Sequence, residues 1–531
     1  MWQKVWYKIN NTVTGGAILI AFFSLLAKIV ALFRERLIAA TFGASQLSDI
    51  YYAAFRLPDF IFNTLVLGAL TSAFIPIFQK VWLQDKKRGL NLANSVINFF
   101  LILIVVLVII AFIWAAPIIS WITPGFGPWE LEQTIRLSRI MLLATIFFVV
   151  SNILGGILNS WKKFFSFSLA ASFYNLGIII GIIFFYPQVG LAGLAWGVVI
   201  GAAMHGLVQL PEAIKNGWRY NIILKWDSNL RQILKLMVPR TIGLAAGQIN
   251  LVAVTMIGST LTAGSIAIFN LANNLQSLPV SLFAVSLAVA VFPTFTQAFN
   301  ENRQDLFAAN FTASLRRILF LLIPLSVLLV VLRAQVVRVI LGSGNFNWDN
   351  TYYTAQTLGW FSISIFSQGL IPLLARAFYA QADTKTPTSV GIICIIFNIF
   401  LSWALAVWAN LGVIGLAIAF SITNILNMLI LYIILHYRLS KINDNLIFIS
   451  LLKISFNSLI GGMVAYGALN FMAPLVNMHT FLGIFTQGLV AGLLGLLSFL
   501  ILSILFKLEE VQIVKDMLKR SLAVFKNGSG R

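Results

Sequence analysis

Lys28, Arg34, Glu35, Asp49, Arg56 and Asp59 fall in or beside two apolar runs near the start of the chain. Each costs roughly 2.5–3.5 kcal/mol at the centre of a membrane helix on insertion scales, so such groups normally face a bundle interior or a water-filled path. On a helix, positions seven apart nearly superpose, which puts Asp49, Arg56 and Asn63 on one stripe about 21 Å long at 1.5 Å per residue. Asp59 stands one turn from Arg56 and can pair with it. Lys28 and Arg34 are six apart, so they share no face unless the first span bends. Farther along, Arg240 follows Pro239, and Asn270, Asn273, Asn274 and Gln276 precede a helix-interrupting Pro279. The bases Lys28, Arg34, Arg36, Arg56 and Arg240 outnumber the acids Glu35, Asp49 and Asp59, a balance that suits an anion. Because arginine pairs bidentately with phosphate and carboxylate, a phosphate- or pyrophosphate-bearing headgroup is the natural ligand. The bland alternative is an Asp/Arg pair that only fixes helix register.

The elements that carry these residues are membrane spans. With 60% hydrophobic and 10% charged side chains, the 531-residue chain departs far from the roughly 25% charged content of soluble domains. Apolar runs of about 20 residues, enough to cross a bilayer core, recur from residue 14 to residue 507. They read as about fourteen transmembrane helices in an all-α polytopic membrane protein. With the N-terminus inside, the even-numbered connections hold the base, including Lys86, Lys87 and Arg88, then Lys162 and Lys163, then Arg438 and Lys441. The net charge of +20 is thus a topology signal with both termini cytoplasmic, and nucleic acid is not an expected partner. Only the first external connection, holding Arg34 and Arg36, breaks that pattern. Cys394 is the sole cysteine, and His205, His436 and His479 are scattered, so no metal site is expected. No phosphate-cradling loop or catalytic spacing appears, so no enzymatic activity and no cofactor is expected.

The chain repeats itself. NLGIIIGIIFFYPQVGLAGLAWG from Asn175 parallels NIFLSWALAVWANLGVIGLAIAF from Asn398, and SAFIPIFQK at Ser72 parallels AVFPTFTQAF at Ala290. Six spans per copy place the two lobes in a parallel repeat, as in transporters that work by alternating access. The expected organisation is a cytoplasmic N-terminus over 1–13, an N-lobe over 14–215, a linker over 216–232 and a C-lobe over 233–437. Two extra spans follow over 450–506, forming a candidate lipid-tail groove, and a cytoplasmic amphipathic tail fills 507–531.

The run FRERLIAATFGASQLSDIYYAAFRLPDFIFNTLVLGALTSAFIPIF closely resembles the signature of the MurJ/MviN lipid II flippases, and the resemblance extends over the whole chain. It implies the two-lobed multidrug/oligosaccharidyl-lipid/polysaccharide exporter fold. It further implies movement of undecaprenyl-pyrophosphate-linked peptidoglycan precursor, lipid II, from the inner to the outer leaflet of the bacterial inner membrane. Lys28 stands where the family usually has a cavity arginine; Arg34 and Glu35, Asp49, and Arg56 match their counterparts. The expected substrate-binding set is therefore Lys28, Arg34, Arg56 and Arg240. Glu35, Asp49 and Asp59 serve charge pairing or gating, and Asn63, Asn273 and Asn274 line the path. This chain departs from the family at Phe62 and Asn63, where arginines are common, and at Asn273 and Asn274, where an Asp-Arg pair is common. Membrane potential is the expected drive, and a monomer in contact with membrane lipids the expected state. A carrier of another polyprenyl-linked glycan, or a non-transporting scaffold for envelope assembly, are the rival readings.

Overall fold

The computed structural model describes the backbone of residues 13–67, 73–439 and 441–512, and the side chains of all of these except 13–18, 67, 239 and 240. The expected N-terminal segment and most of the amphipathic tail lie outside them. The described residues are helical with short connections, as an apolar chain requires when lipid offers no partner for backbone N–H and C=O groups. Eleven helices among them are long and apolar enough to cross a membrane. They become twelve if Trp348–Ile363 and Ile365–Ala380, bent by 44°, form one span. Among the described residues the expected count of fourteen is not confirmed; one reason is that the second expected span, 49–79, is divided into short pieces.

By internal contacts the chain forms two compact units, one running through Ala267 and including Ser343–Phe346, the other comprising Ile268–Gly342 and the chain from Asn347. The first unit opens with an unbroken 30-residue helix, Val13–Phe42. It does not end near residue 33, so Arg34 and Arg36 lie within the helix and not in the first connection. The turn comes later, at Gly43, whose φ of +66° and N–H bond to the Ala39 carbonyl close the helix with a left-handed cap. The long helices Lys86–Ile113 and Pro128–Ser160 pack beside Ile75–Gln84 around Phe74, Phe78 and Phe100, all fully buried. Phe164–Ile180 approaches Leu191–Leu207 through glycines. A Cβ on Gly177 would lie 2.2 Å from Gly201 Cα, and one on Gly181 2.6 Å from Gly197 Cα, so backbones meet where side chains would collide. The connection after Lys215 is held down by Asn94, which donates to Arg219 O, and by Asn98, which donates to the Asn221 and Ile223 carbonyls.

The second unit repeats this style of packing. Phe295, Phe307, Phe311, Phe320 and Phe378 fill its core between Ser286–Asn300, Gln304–Val331 and Ile365–Ala380. The last two helices, Asp444–Met472 and Phe481–Leu505, touch at Gly461 and Gly495, where an added Cβ on either would lie 2.7 Å from the other's carbonyl oxygen. Their outer faces are apolar and exposed, as for helices bathed in lipid.

Candidate functional site

The segment expected to carry a polar stripe is divided into three helical pieces. Gln46–Ala54 ends at Phe55, Arg56–Ile61 follows, and a π-helical turn occupies Phe62–Leu67. Pro58 supplies the reason, since it has no N–H for the carbonyl one turn back and its ring crowds that carbonyl. Asp49, Arg56 and Asn63 fall on these three consecutive pieces, and Phe55 and Phe62 keep helical φ and ψ at the joints, so the helical path runs on between them.

On the uninterrupted helix Val13–Phe42 the six-residue offset sets Lys28 and Arg34 about 120° apart around the axis. Lys28 is half-buried. Arg34 lies beside Glu35 in an ion pair and donates from Nη1 to Asn175 Oδ1 at 2.9 Å. Asn175 is aimed by its own Nδ2, which donates to the Ala171 carbonyl and leaves Oδ1 for the arginine. The other Glu35 oxygen accepts from the Tyr52 hydroxyl at 2.6 Å. A polar chain of Asn175, Arg34, Glu35 and Tyr52 thus ties three helices together. Glu35 is 5% exposed and Arg34 19%, so the cation keeps more open surface than the anion that neutralises it. Arg34 Nε is buried and has no acceptor among the described residues, which leaves a charged donor over.

Arg56 is buried and donates from Nε to Thr255 Oγ1 at 2.6 Å, and that hydroxyl donates onward to the Leu251 carbonyl. Asp59 is within electrostatic reach of both Arg56 and Arg34. Asp49 was expected to meet a base; it accepts instead from backbone, from the Gly264 N–H at 2.6 Å and the Ala267 N–H at 2.7 Å. The physical cause is the start of the helix Ser265–Pro279, whose first N–H groups have no partner within the helix and carry its positive dipole end. A carboxylate serves there as well as it would beside an arginine. Asn63 is half-buried in the π-helical turn. The backbone of Arg240 is helical within Ser228–Ser259; its side chain lies outside the described residues.

In the second unit, Asn273 Oδ1 accepts from Gln276 Nε2 and Gln276 Oε1 accepts from Gln368 Nε2, each at 2.9 Å, while Gln368 also donates to Ser364 Oγ. This is a chain of neutral amides, with Asn274 half-buried beside it. The structure thus brings Arg34 and Glu35 together, with Asp59 in electrostatic reach of Arg34 and Arg56, and leaves Asn273 and Asn274 in a separate, uncharged group. Sequence reasoning missed Tyr52, Thr255 and Asn175 as contact residues. Asn175 had been found only as a marker of the repeat, although a lone amide in an apolar helix was signal enough.

Membrane-length helices that hold hydrogen-bonded arginines within the bundle have the make-up of a polytopic membrane transporter. The model of the family described as lipid II flippase MurJ matches residues 38–486, and the chain belongs to that family. A probable lipid II flippase MurJ of Vibrio cholerae is 29% identical over 445 residues, covering 81% of this chain and 84% of its own. The lipid II flippase MurJ of Burkholderia cenocepacia is 28% identical over 428 residues, covering 78% and 82%. A solved lipid II flippase MurJ in an inward closed conformation superposes with a TM-score of 0.77 at 27% identity, over 92% of this chain and 98% of that one. An inward-facing multidrug transporter of the MATE family matches at a TM-score of 0.66 and 16% identity, over 80% and 98%, and shares the fold. The chain is accordingly a membrane flippase and not an enzyme.

Proposed function

We propose that this chain carries lipid II, the undecaprenyl-pyrophosphate-linked peptidoglycan precursor, from the inner to the outer leaflet of the bacterial inner membrane by alternating access, with both termini in the cytoplasm. The observation that carries the proposal is the Arg34 guanidinium, bonded to Glu35 and Asn175 yet retaining a buried donor without an acceptor, in a chain of the lipid II flippase MurJ family. Lys28, Arg34, Arg56 and Arg240 receive the pyrophosphate and the acidic peptide. Glu35 and Asp59 neutralise these bases when no substrate is bound, and Asp49 holds the second expected span to the start of Ser265–Pro279 until the conformation changes.

Membrane potential supplies the drive, since each charge moved across 100 mV is worth roughly 2.3 kcal/mol and an interior-negative cell favours outward movement of an anion. The test is the fraction of lipid II exposed on the outer leaflet of bacteria depleted of their own flippase and supplied with this chain. Exposure restored by the parent and lost in a folded, equally expressed Arg34→Ala variant supports the proposal. A well-expressed parent that restores nothing makes another polyprenyl-linked glycan the substrate.

A further inference from the structure

Where the end of Lys86–Ile113 meets the start of Pro128–Ser160, a cavity of about 600 Å³ opens beside Phe112, Ile140 and Leu143, with Glu132, Arg136 and Arg139 on its wall. It lies at the ends of these helices opposite their basic loops, Lys86 to Arg88 and Lys162 to Lys163, and hence toward the outer leaflet. Trp114, Trp121 and Trp129 stand exposed at the same ends, as aromatic residues do at headgroup level. Glu132, Arg136, Arg139 and Leu143 follow one another at offsets of four, three and four, so they form one stripe of the helix. From the aqueous end inward that stripe reads acid, base, base, apolar. Arg136 lies about 6 Å and Arg139 about 10 Å deeper than Glu132. Arg139 is oriented by its own partners: Nε donates to the Phe112 carbonyl at 3.1 Å, and the guanidinium lies 4.9 Å from the Phe112 ring centroid. Its two terminal nitrogens remain for a ligand. Among the described residues these three side chains form no ion pair with one another, although Glu132 and Arg136 are spaced for one.

A phospholipid with an ammonium-bearing headgroup has the same order along its own length, with ammonium at the tip, phosphate next and acyl chains beyond. We propose that this cavity is a binding site for a phosphoethanolamine phospholipid of the outer leaflet. Arg136 and Arg139 take the phosphate, Glu132 takes the ammonium, and Phe112, Ile140 and Leu143 lie along the glycerol and upper acyl chain. Arginines that merely snorkel to the interface would bind any anionic lipid without regard to an amine.

The test uses the purified full chain in detergent, offered equal amounts of phosphatidylethanolamine and phosphatidylglycerol, with retained lipid counted by native mass spectrometry. The parent retains the ethanolamine lipid in preference. Arg136→Gln/Arg139→Gln lowers that retention about tenfold, as for loss of a charge-assisted contact, and Glu132→Gln keeps phospholipid bound while erasing the preference. Equal retention of both lipids by the parent, or unchanged retention in the double variant, overturns the proposal. So does glycerophosphoethanolamine or inorganic phosphate binding as tightly as the lipid, which would make this a site for soluble phosphates. Should the double variant fail to fold, Glu132→Gln, an exposed single change, decides by itself whether the preference depends on the carboxylate.

Discussion

The two units share their helical punctuation and differ in their charge. In the first, Asn175 on Phe164–Ile180 is followed by a π-helical turn over Gly181–Phe185 and then by Gly190 at φ +63°. In the second, Asn398 on Lys385–Trp403 is followed by a π-helical turn over Ala404–Trp408 and then by Gly412 at φ +56°. A second matched pair of π-helical turns lies at Phe62–Leu67 and Val280–Val285. Yet the asparagine of the first unit receives the Arg34 guanidinium, whereas Asn398 donates to Thr423 Oγ1 at 2.9 Å. Among the described residues, the ion pair of the first unit, Arg34 with Glu35, lies within one helix. In the second, the buried ion pair is Arg316 with Glu510 at 2.7 Å, joining Gln304–Val331 to the segment just past Phe481–Leu505. Backbone breaks and glycine approaches are what a helical lobe needs in order to pack; charge inside it is what a ligand needs. One feature can therefore be duplicated without the other.

The sharpest way to break this contrast is to remove the paired groups on both sides. Arg34→Ala leaves Glu35 buried without its cation, and breaking a buried pair costs roughly 3–5 kcal/mol. Large losses of both thermal stability and lipid II exposure are expected. Arg34→Ala/Glu35→Ala should recover most of the stability and none of the transport, as read by melting in detergent and by leaflet exposure in cells. Asn398→Ala should cost only about 1 kcal/mol, the worth of a neutral hydrogen bond, and leave transport in place. If Asn398→Ala abolished transport while the double variant kept it, the functional asymmetry would lie the other way round.

Arg316→Met should come next, at about 3 kcal/mol, because Glu510 is then left buried with Ser450 also unpaired. Arg316→Met/Glu510→Leu should regain that stability, and both variants should transport once folded. Loss of transport from a well-folded double variant would put this pair into the working machinery and end the distinction drawn between the two units.

Much of this was legible in the sequence, and the misses have physical causes. The repeat, the membrane architecture and the charged opening segment could be read because hydropathy and the cost of buried charge act over many residues. The extension of the first helix through Arg34 and Arg36 was missed because polarity marks a loop only where water is the partner. Here Asn175, Glu35 and Tyr52 stand in for water at Arg34 and Glu35. Asp49 was matched with bases because charge pairs are visible in a sequence, whereas a distant helix start offering two N–H groups is not.

Asp49 allows a smaller, local test. Asp49→Asn keeps one acceptor and removes the charge, so the cap on Ser265–Pro279 should weaken by about 1 kcal/mol. Amide exchange at residues 264–267 should then quicken by a few-fold to about tenfold, while exchange around Asn398 stays unchanged. Uniformly faster exchange across both units would show that the carboxylate supports the whole molecule and not this one helix start.

The smallest effect belongs to a loop of the second unit. Burial pushes the Asp383 carboxyl up, but hydrogen bonds from the Thr386 hydroxyl and N–H, and from the Arg438 guanidinium at 2.6 Å, outweigh it and hold the group at about 2. A carboxyl depressed in the folded state adds stability that is fully present above its unfolded pKa of about 3.9 and is lost as pH falls through the folded value. The difference in melting temperature between the parent and Asp383→Asn should therefore be flat from about pH 8 to pH 5 and begin to close only below about pH 4. Because the Arg438 partner is largely exposed, solvent screens the pair and the whole difference should be small. A gap that closed near pH 6 would mean that a group other than the aspartate governs the pH dependence of this loop.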